Sequence, residues 1–336
     1  MKISFTGEAM RHMDHNTGYG QASEMILRSF KKLNIECGFE LENADIEICF
    51  SSPETHYWLE KNSYKIAYGA WESTDLTKLG KSVMNQADEI WGTSPWVQNV
   101  FQYLFPDKPT FVYKHGIDER FKPVKRKSKN TPFTFFHIGE PSSRKDAQMV
   151  TEAFIELFGE DPNYRLVMKA SGMNTVKVLQ PQSGHLISPS THYKNIVSIN
   201  NFLTNKQIVG MYNLCDAFVY PTWGEGFGLQ PLEALATGMP VICTVEWADY
   251  KKYVPFQVNS ILSPNPWPQT HQGFMLKPIK ESLKEQMQKC VDTYDEVIGE
   301  TFKNSFKIHE EYDWLEVTKP AIKRLEYIYS KISTKK

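Results

Sequence analysis

Between Ala217 and Thr244 the chain spells out one complete strand–loop–helix–strand unit, and few architectures can house it. Ala217-Phe218-Val219-Tyr220 is an unbroken apolar run, the pattern of a strand buried on both faces of a parallel sheet. Pro221 to Gly228 follows as a glycine-rich turn, and a helix opens near Gly228. Gly238-Met239-Pro240 stops that helix, and Val241-Ile242-Cys243-Thr244 forms the next strand. Pro231 fits only in the helix's first turn, where its missing N–H costs nothing. Leu229, Leu232, Leu235 and Ala236 make the packed stripe, which leaves Glu233 off that face. Glu233 then sits roughly 7 Å along the axis from Gly228, at ~1.5 Å per residue. Glu225 lies in the turn. Two carboxylates, free backbone N–H groups and a helix N-terminus thus converge on one strand end, which is the outline of a ligand site.

The same alternation runs through the rest of the chain and predicts an α/β protein with parallel sheets. Strands are expected at Ile3–Thr6, Ile46–Phe50, Lys65–Tyr68, Glu89–Trp91 and Thr110–Tyr113, with helices from Ala22 to Leu33 and over 75–86 and 95–104. The stretch 123–132 is charged and proline-bounded and reads as a solvated linker between a first domain, 1–122, and a second, 133–309. The second domain restarts with Phe133–Ile138. It continues through a helix over 145–158, strands Arg165–Lys169 and Ile196–Ile199, and a helix over 205–214 before the Ala217 unit. Long helices are expected over 277–297 and 312–332.

With 336 residues, 41% of them hydrophobic, the chain can build two ordinary cores. A net charge of −1 excludes the strongly basic field of a dedicated nucleic-acid binder. The five scattered cysteines form no CxxC and read as buried free thiols of a reducing compartment. The N-terminus lacks the apolar stretch of a signal peptide and no run approaches a membrane span, so a soluble, cytoplasmic protein is expected.

Glycine loops recur on both sides of the expected cleft: Gly18-Tyr19-Gly20, Gly139 to Lys145, and Gly224 to Gly228. Arg144 and Lys145 set two cations at a helix start, against the dipole, which makes sense if an anion such as a diphosphate sits between them. Glu233 suits a vicinal diol, because its two oxygens can accept from adjacent hydroxyls, as acids do on a nucleotide ribose. Glu225 could hold a hydroxyl of a second sugar. No Asp-x-Asp, HExxH or other metal-ligand spacing occurs, nor a Walker-type loop. His12, His15, His115 and His137 read as packing or capping residues. The chemistry is therefore expected to run without a metal, with basic side chains and helix dipoles meeting the charge of a departing diphosphate.

These residues resemble the family 4 glycosyltransferases, over most of the chain. Glu225-Gly226-Phe227-Gly228-Leu229 with Pro231 to Ala236 and Gly238-Met239-Pro240-Val241 looks like that family's E-x7-E segment. Ala87 to Trp91, His115-Gly116-Ile117-Asp118 and Leu214 to Pro221 support it by order and spacing. The resemblance implies a GT-B fold: two Rossmann-like domains facing across a cleft, with the C-terminal helix (about 310–332, around Trp314) crossing back onto the first. It implies transfer of a sugar from a nucleotide-diphosphate sugar co-substrate to an acceptor hydroxyl with retention of configuration and no further cofactor. Glu233 would bind the ribose. Glu225 with Gly226, Phe227 and Gly228 would hold the sugar, and Lys145, with Arg144, would meet the phosphates. Gly18 and Gly20 would face them from the first domain, and Lys169 would join the donor site.

Two departures stand out. Glu140 replaces the family's arginine after the glycine, so either Arg144 takes that role or the diphosphate grip is weaker. Tyr68 to Ser73 stands where the family often has a histidine, and there Trp71 and Glu72 either contact sugar or acceptor, or are a packed Trp beside a capping acid. The acceptor stays open: a glycan, or a modified base in DNA met by Arg11, Lys31, Lys32 and the linker cations. A GT-B nucleotide-sugar epimerase or hydrolase and a non-catalytic nucleotide-sugar-binding module are the rival readings.

Overall fold

In the computed structural model, which describes residues 1–11, 17–170, 176–179 and 186–334, the chain forms two six-stranded parallel sheets. The first contains β1 (Lys2–Thr6), β2 (Glu36–Phe39), β3 (Ile46–Phe50), β4 (Tyr64–Gly69), β5 (Glu89–Gly92) and β6 (Thr110–Val112), in the order β2-β1-β3-β4-β5-β6. Around it lie α1 (Glu8–Arg11), α2 (Gly18–Lys32), α3 (Lys78–Met84) and α4 (Pro95–Leu104). After β7 (Phe133–Ile138), α5 (Ala147–Phe158) and β8 (Tyr164–Lys169) comes a small antiparallel pair, β9 (Val178–Leu179) with β10 (Leu186–Ile187), followed by the short α6 (Pro189–His192). Then follow β11 (Ile196–Ile199), α7 (Asn205–Leu214), β12 (Ala217–Tyr220), α8 (Leu229–Ala236), β13 (Val241–Cys243) and β14 (Phe256–Gln257). The second sheet runs β11-β8-β7-β12-β13-β14, the doubly wound dinucleotide-fold order.

In such sheets the chain order reverses at one point, and the strand ends part there to leave a crevice. The reversal falls between β1 and β3 in the first sheet and between β7 and β12 in the second. The loops at those four strand ends include the glycine-rich segments picked out from the sequence. Fold and motif point to the same place.

An antiparallel hairpin, β15 (Ser260–Pro264) with β16 (Phe274–Pro278), was not anticipated, and it reaches across to the first domain. Thr74 N donates to the Phe274 carbonyl at 3.0 Å, and Phe274 N donates to Thr74 Oγ1 at 3.0 Å. The helix expected over 277–297 is also corrected. Its start belongs to β16, α9 covers Lys280–Asp292, and a separate α10 runs Tyr294–Glu311. Thr293 makes the break without glycine or proline, so the sequence carries no stop signal there.

Asp313 then caps α11 (Trp314–Ser333), its carboxylate accepting from Leu315 N and Glu316 N. This turn sends the helix back over the first domain, where Trp314, Val317, Ala321, Leu325 and Ile328 pack against Ile26, Phe30 and Tyr113. Arg324 pairs with the fully buried Glu89 at 2.7 Å. The stretch after Phe121 is largely exposed, as a solvated linker is, and is tied to the second domain at a few points. Arg126 donates to the Tyr212 and Cys215 carbonyls at the end of α7, and Asn130 N donates to Asp216. All five cysteines are unpaired, four of them buried. Among the described residues no helix is long and apolar enough to cross a membrane.

Candidate functional site

Gly228 caps α8 in the left-handed region at φ +78°, and any Cβ there would collide with Trp247 and the Tyr250 hydroxyl. Tyr250 fixes the turn by donating to the Gly228 carbonyl at 2.5 Å. Gly226 faces the first domain: a Cβ would lie 2.8 Å from Ala70 Cα and 2.9 Å from Trp71 N. Thr93 Oγ1 donates to the Gly226 carbonyl at 2.8 Å, so the two domains also touch at this loop. Glycine is required here for close approach.

Glu225 is buried at the centre of a cluster of hydrogen-bond donors. Its Oε1 accepts from Arg144 Nη1 at 2.7 Å, Lys145 Nζ at 2.9 Å, and the Tyr220 and Thr222 hydroxyls at 3.0 Å each. Burial pushes this carboxyl up, but the facing guanidinium and ammonium outweigh it and hold it at about 2. Burial likewise works against the charge of Arg144, yet Glu225 and Glu72 leave its pKa raised. The Lys145 pKa is lowered by burial, with Arg144 adding to the effect and Glu225 opposing it. The anion expected between the two cations is thus already supplied, by Glu225 itself. Glu140 is exposed, and Arg144 occupies the centre of the site.

Arg144, Lys145 and Glu225 line one cavity of about 200 Å³, which also takes in Gly18, Tyr19, Glu72, His115, Phe227 and the α8 residues Leu229 and Gln230. Glu233 lies beside it, lining a small adjoining pocket with Gln21, Gly116 and Arg120. It is nearly as buried as its neighbours rather than exposed on the free face of α8, and its Oε2 accepts from the Tyr212 hydroxyl at 3.0 Å. Burial raises its carboxyl to about 7 despite that hydrogen bond. Such a raised carboxyl in a cleft makes Glu233 a candidate site residue.

The other expected site residues are more dispersed. Gly20 turns its N–H onto Thr17 Oγ1 at 3.0 Å, inside the α2 cap. Lys169 is buried at the end of β8, with its pKa lowered by that burial and no side-chain partner among the described residues. Trp71 is packed: its Nε1 donates to the Asp75 carbonyl and its ring lies 4.3 Å from that of His271. Glu72 does face the cavity, 3.7 Å from Arg144 Nη2 and 3.7 Å from His271 Nε2. His12 and His15 lie outside the described residues. Of the cations offered to an acceptor's phosphates, Arg11 is paired with Glu40 at 2.7 Å and Arg126 is spent on carbonyls.

Three partners were missed from the sequence: Tyr212 on Glu233, His271 beside Glu72, and His115 in the cavity wall. Each has its neighbours far away in the chain; Tyr212 has a local hint in its place on the apolar side of α7, and His115 only in the His115-Gly116-Ile117-Asp118 segment, which does not show its place in the cavity wall.

Residues 118–266 match the family described as glycosyl transferases group 1. The lipopolysaccharide core biosynthesis mannosyltransferase LpsB of Rhizobium meliloti is 28% identical over 177 residues, 50% of this chain and 48% of that protein. The chain thus matches about half the length of that relative. Sucrose-phosphate synthase from Thermosynechococcus elongatus superposes with a TM-score of 0.67 at 11% identity, over 98% of this chain and all of that one. Anabaena HepE, solved with UDP and glucose, gives 0.61 at 12% identity over 97% of this chain and all of that one. The fold is therefore GT-B, two parallel-sheet α/β domains across a cleft. On that scaffold the segment 118–266 is similar to the glycosyl transferases of group 1.

Proposed function

We propose that the protein is a retaining glycosyltransferase that moves a sugar from a nucleotide-diphosphate donor to an acceptor hydroxyl without a metal ion. The observation that carries this reading is the placement of Glu225 and Glu233 in adjoining cavities where both sheets reverse order, with Arg144, Lys145 and the start of α2 between the domains. A ribose diol on Glu233 and a sugar on Glu225 leave the linking diphosphate among the cations and the N-termini of α2 and α8, where backbone dipoles favour negative charge. HepE, whose structure holds UDP and glucose, supports a ligand of that class.

In the reaction the bond between the sugar's anomeric carbon and the phosphate oxygen breaks, and the electron pair leaves with the nucleoside diphosphate. The acceptor oxygen bonds to the same face of that carbon, and its proton passes to a diphosphate oxygen. Arg144 and Lys145 stabilise the charge that develops on the leaving group. To do so they must loosen their hold on Glu225, which frees that carboxylate for sugar hydroxyls. Binding and unpairing are coupled.

A panel of nucleotide sugars, read by thermal shift and then by turnover, tests the reading. Glu233→Ala should weaken donor binding by tenfold or more, roughly the cost of unpairing a charged hydrogen bond. Undiminished transfer by that variant refutes the assignment. A protein that consumes donor with no acceptor present is instead a hydrolase or epimerase, and one that binds without turnover is a binding module.

A further inference from the structure

His115 follows β6 and is 4% exposed, and neither ring nitrogen has a hydrogen-bond partner. A buried polar group left unpaired costs the fold free energy, so its persistence calls for a partner that arrives later. Rings surround it on several sides: Phe227 at 5.2 Å between centroids, Trp314 at 5.7 Å, Phe50 at 5.8 Å and Tyr68 at 6.3 Å. None of these rings gives either imidazole nitrogen a conventional hydrogen bond. The ring also borders the larger cavity, alongside Gly18, Lys145 and Glu225. Gly116, next in the chain, borders the smaller pocket that holds Glu233. His115 therefore stands at the neck between the two compartments. Burial holds its pKa down to about 3, so the ring is neutral, with one N–H to give.

We propose that His115 donates a hydrogen bond to the diphosphate of the bound nucleotide sugar, gripping it at the neck from the first-domain side, opposite Arg144 and Lys145. This rests on the reading above in one respect, that the ligand carries a diphosphate between a ribose and a sugar. The link between those two groups must pass the neck. Phe227 of the second domain and Trp314 of the crossing helix hold the ring in place, so the contact forms only when loop, first domain and α11 are assembled together. Gly116 enforces the same assembly, since a Cβ there would lie 2.7 Å from the Trp314 ring.

The test compares the wild-type chain, His115→Leu and His115→Gln by calorimetric titration with UDP, GDP, ADP and dTDP and with the matching nucleosides. His115→Leu keeps the volume and removes the hydrogen bond. It should weaken the best diphosphate by about tenfold or more while changing its nucleoside less than about twofold. His115→Gln, which keeps a side-chain N–H, should recover most of the loss. The ligand-free Tm of His115→Leu should match or exceed wild type, because an unpaired polar group has left the interior. Should Leu not fold there, His115→Met makes the same comparison. Equal diphosphate affinity in wild type and the apolar variant overturns the proposal, as does an equal loss for nucleoside and diphosphate. If wild type binds none of the four diphosphates, the nucleotide-sugar reading itself fails with it; if wild type binds one and the apolar variant binds it equally, only the role of His115 falls.

Discussion

Replacing Glu233 by Gln should stabilise the ligand-free protein in alkaline buffer, an unusual direction for a substitution in a buried site. Burial lifts this carboxyl from its ordinary 4.5 to about 7. A raised carboxyl favours the protonated folded state, so the stability it contributes is complete below pH 4.5 and is lost as pH rises through 7. At pH 8 wild type must carry the buried carboxylate, at a cost of roughly 3 kcal/mol from the linkage relation. Gln is nearly isosteric, and its carbonyl can still accept from Tyr212. Urea unfolding at pH 8 should therefore show the variant more stable by about 1–3 kcal/mol, allowing for the polar group that stays buried. Well below pH 4.5 the difference should vanish. A variant that is less stable at pH 8, or a difference independent of pH, refutes the argument. The same change should weaken nucleotide binding, so stability and function move in opposite directions.

Three further outcomes follow from the geometry. Glu225→Gln leaves two buried cations without their anion and should cost about 3–5 kcal/mol at pH 7 by urea unfolding; because that carboxyl is held at about 2, the deficit should shrink as pH falls from 4.5 towards 2, and a deficit below about 1 kcal/mol at pH 7 counts against the network. Gly226→Ala forces a methyl group into Ala70 and should cut kcat/KM by about tenfold or more with a small change in Tm, because a slight misplacement of the domains disturbs the reacting groups; adding Ala70→Gly should restore part of the rate. Arg324→Ala takes the cation from the buried Glu89 carboxylate, which keeps only the Trp91 and Tyr64 donors, and should cost about 2 kcal/mol, discounted because the arginine is partly exposed, with limited proteolysis then releasing α11.

Long apolar runs and well-signalled helices could be read directly. Ile46–Phe50, Pro95–Leu104, Phe133–Ile138, Asn205–Leu214 and Ala217–Tyr220 occur where the sequence placed them, because each buries a continuous face or opens on a capping residue. Edge elements could not. β2 carries Gly38 in its interior and pairs on one side only, and the β15–β16 hairpin leaves Ile261 and Leu262 exposed, so neither shows a buried-strand pattern. The site divided in the same way. Glu225, Gly226, Gly228 and Glu233 sit in one local motif and were visible together. That Glu225 neutralises Arg144 and Lys145 across about eighty positions of sequence was not, nor was the environment of His115, which is built from four segments that meet only in the folded chain.

The most direct test is to follow the anomeric proton by NMR while the purified protein consumes an α-linked nucleotide sugar in the presence of acceptor and EDTA. Release of nucleoside diphosphate together with a new α-glycosidic linkage is the predicted result. A β-linked product, dependence on a divalent metal, or donor breakdown without transfer would contradict it.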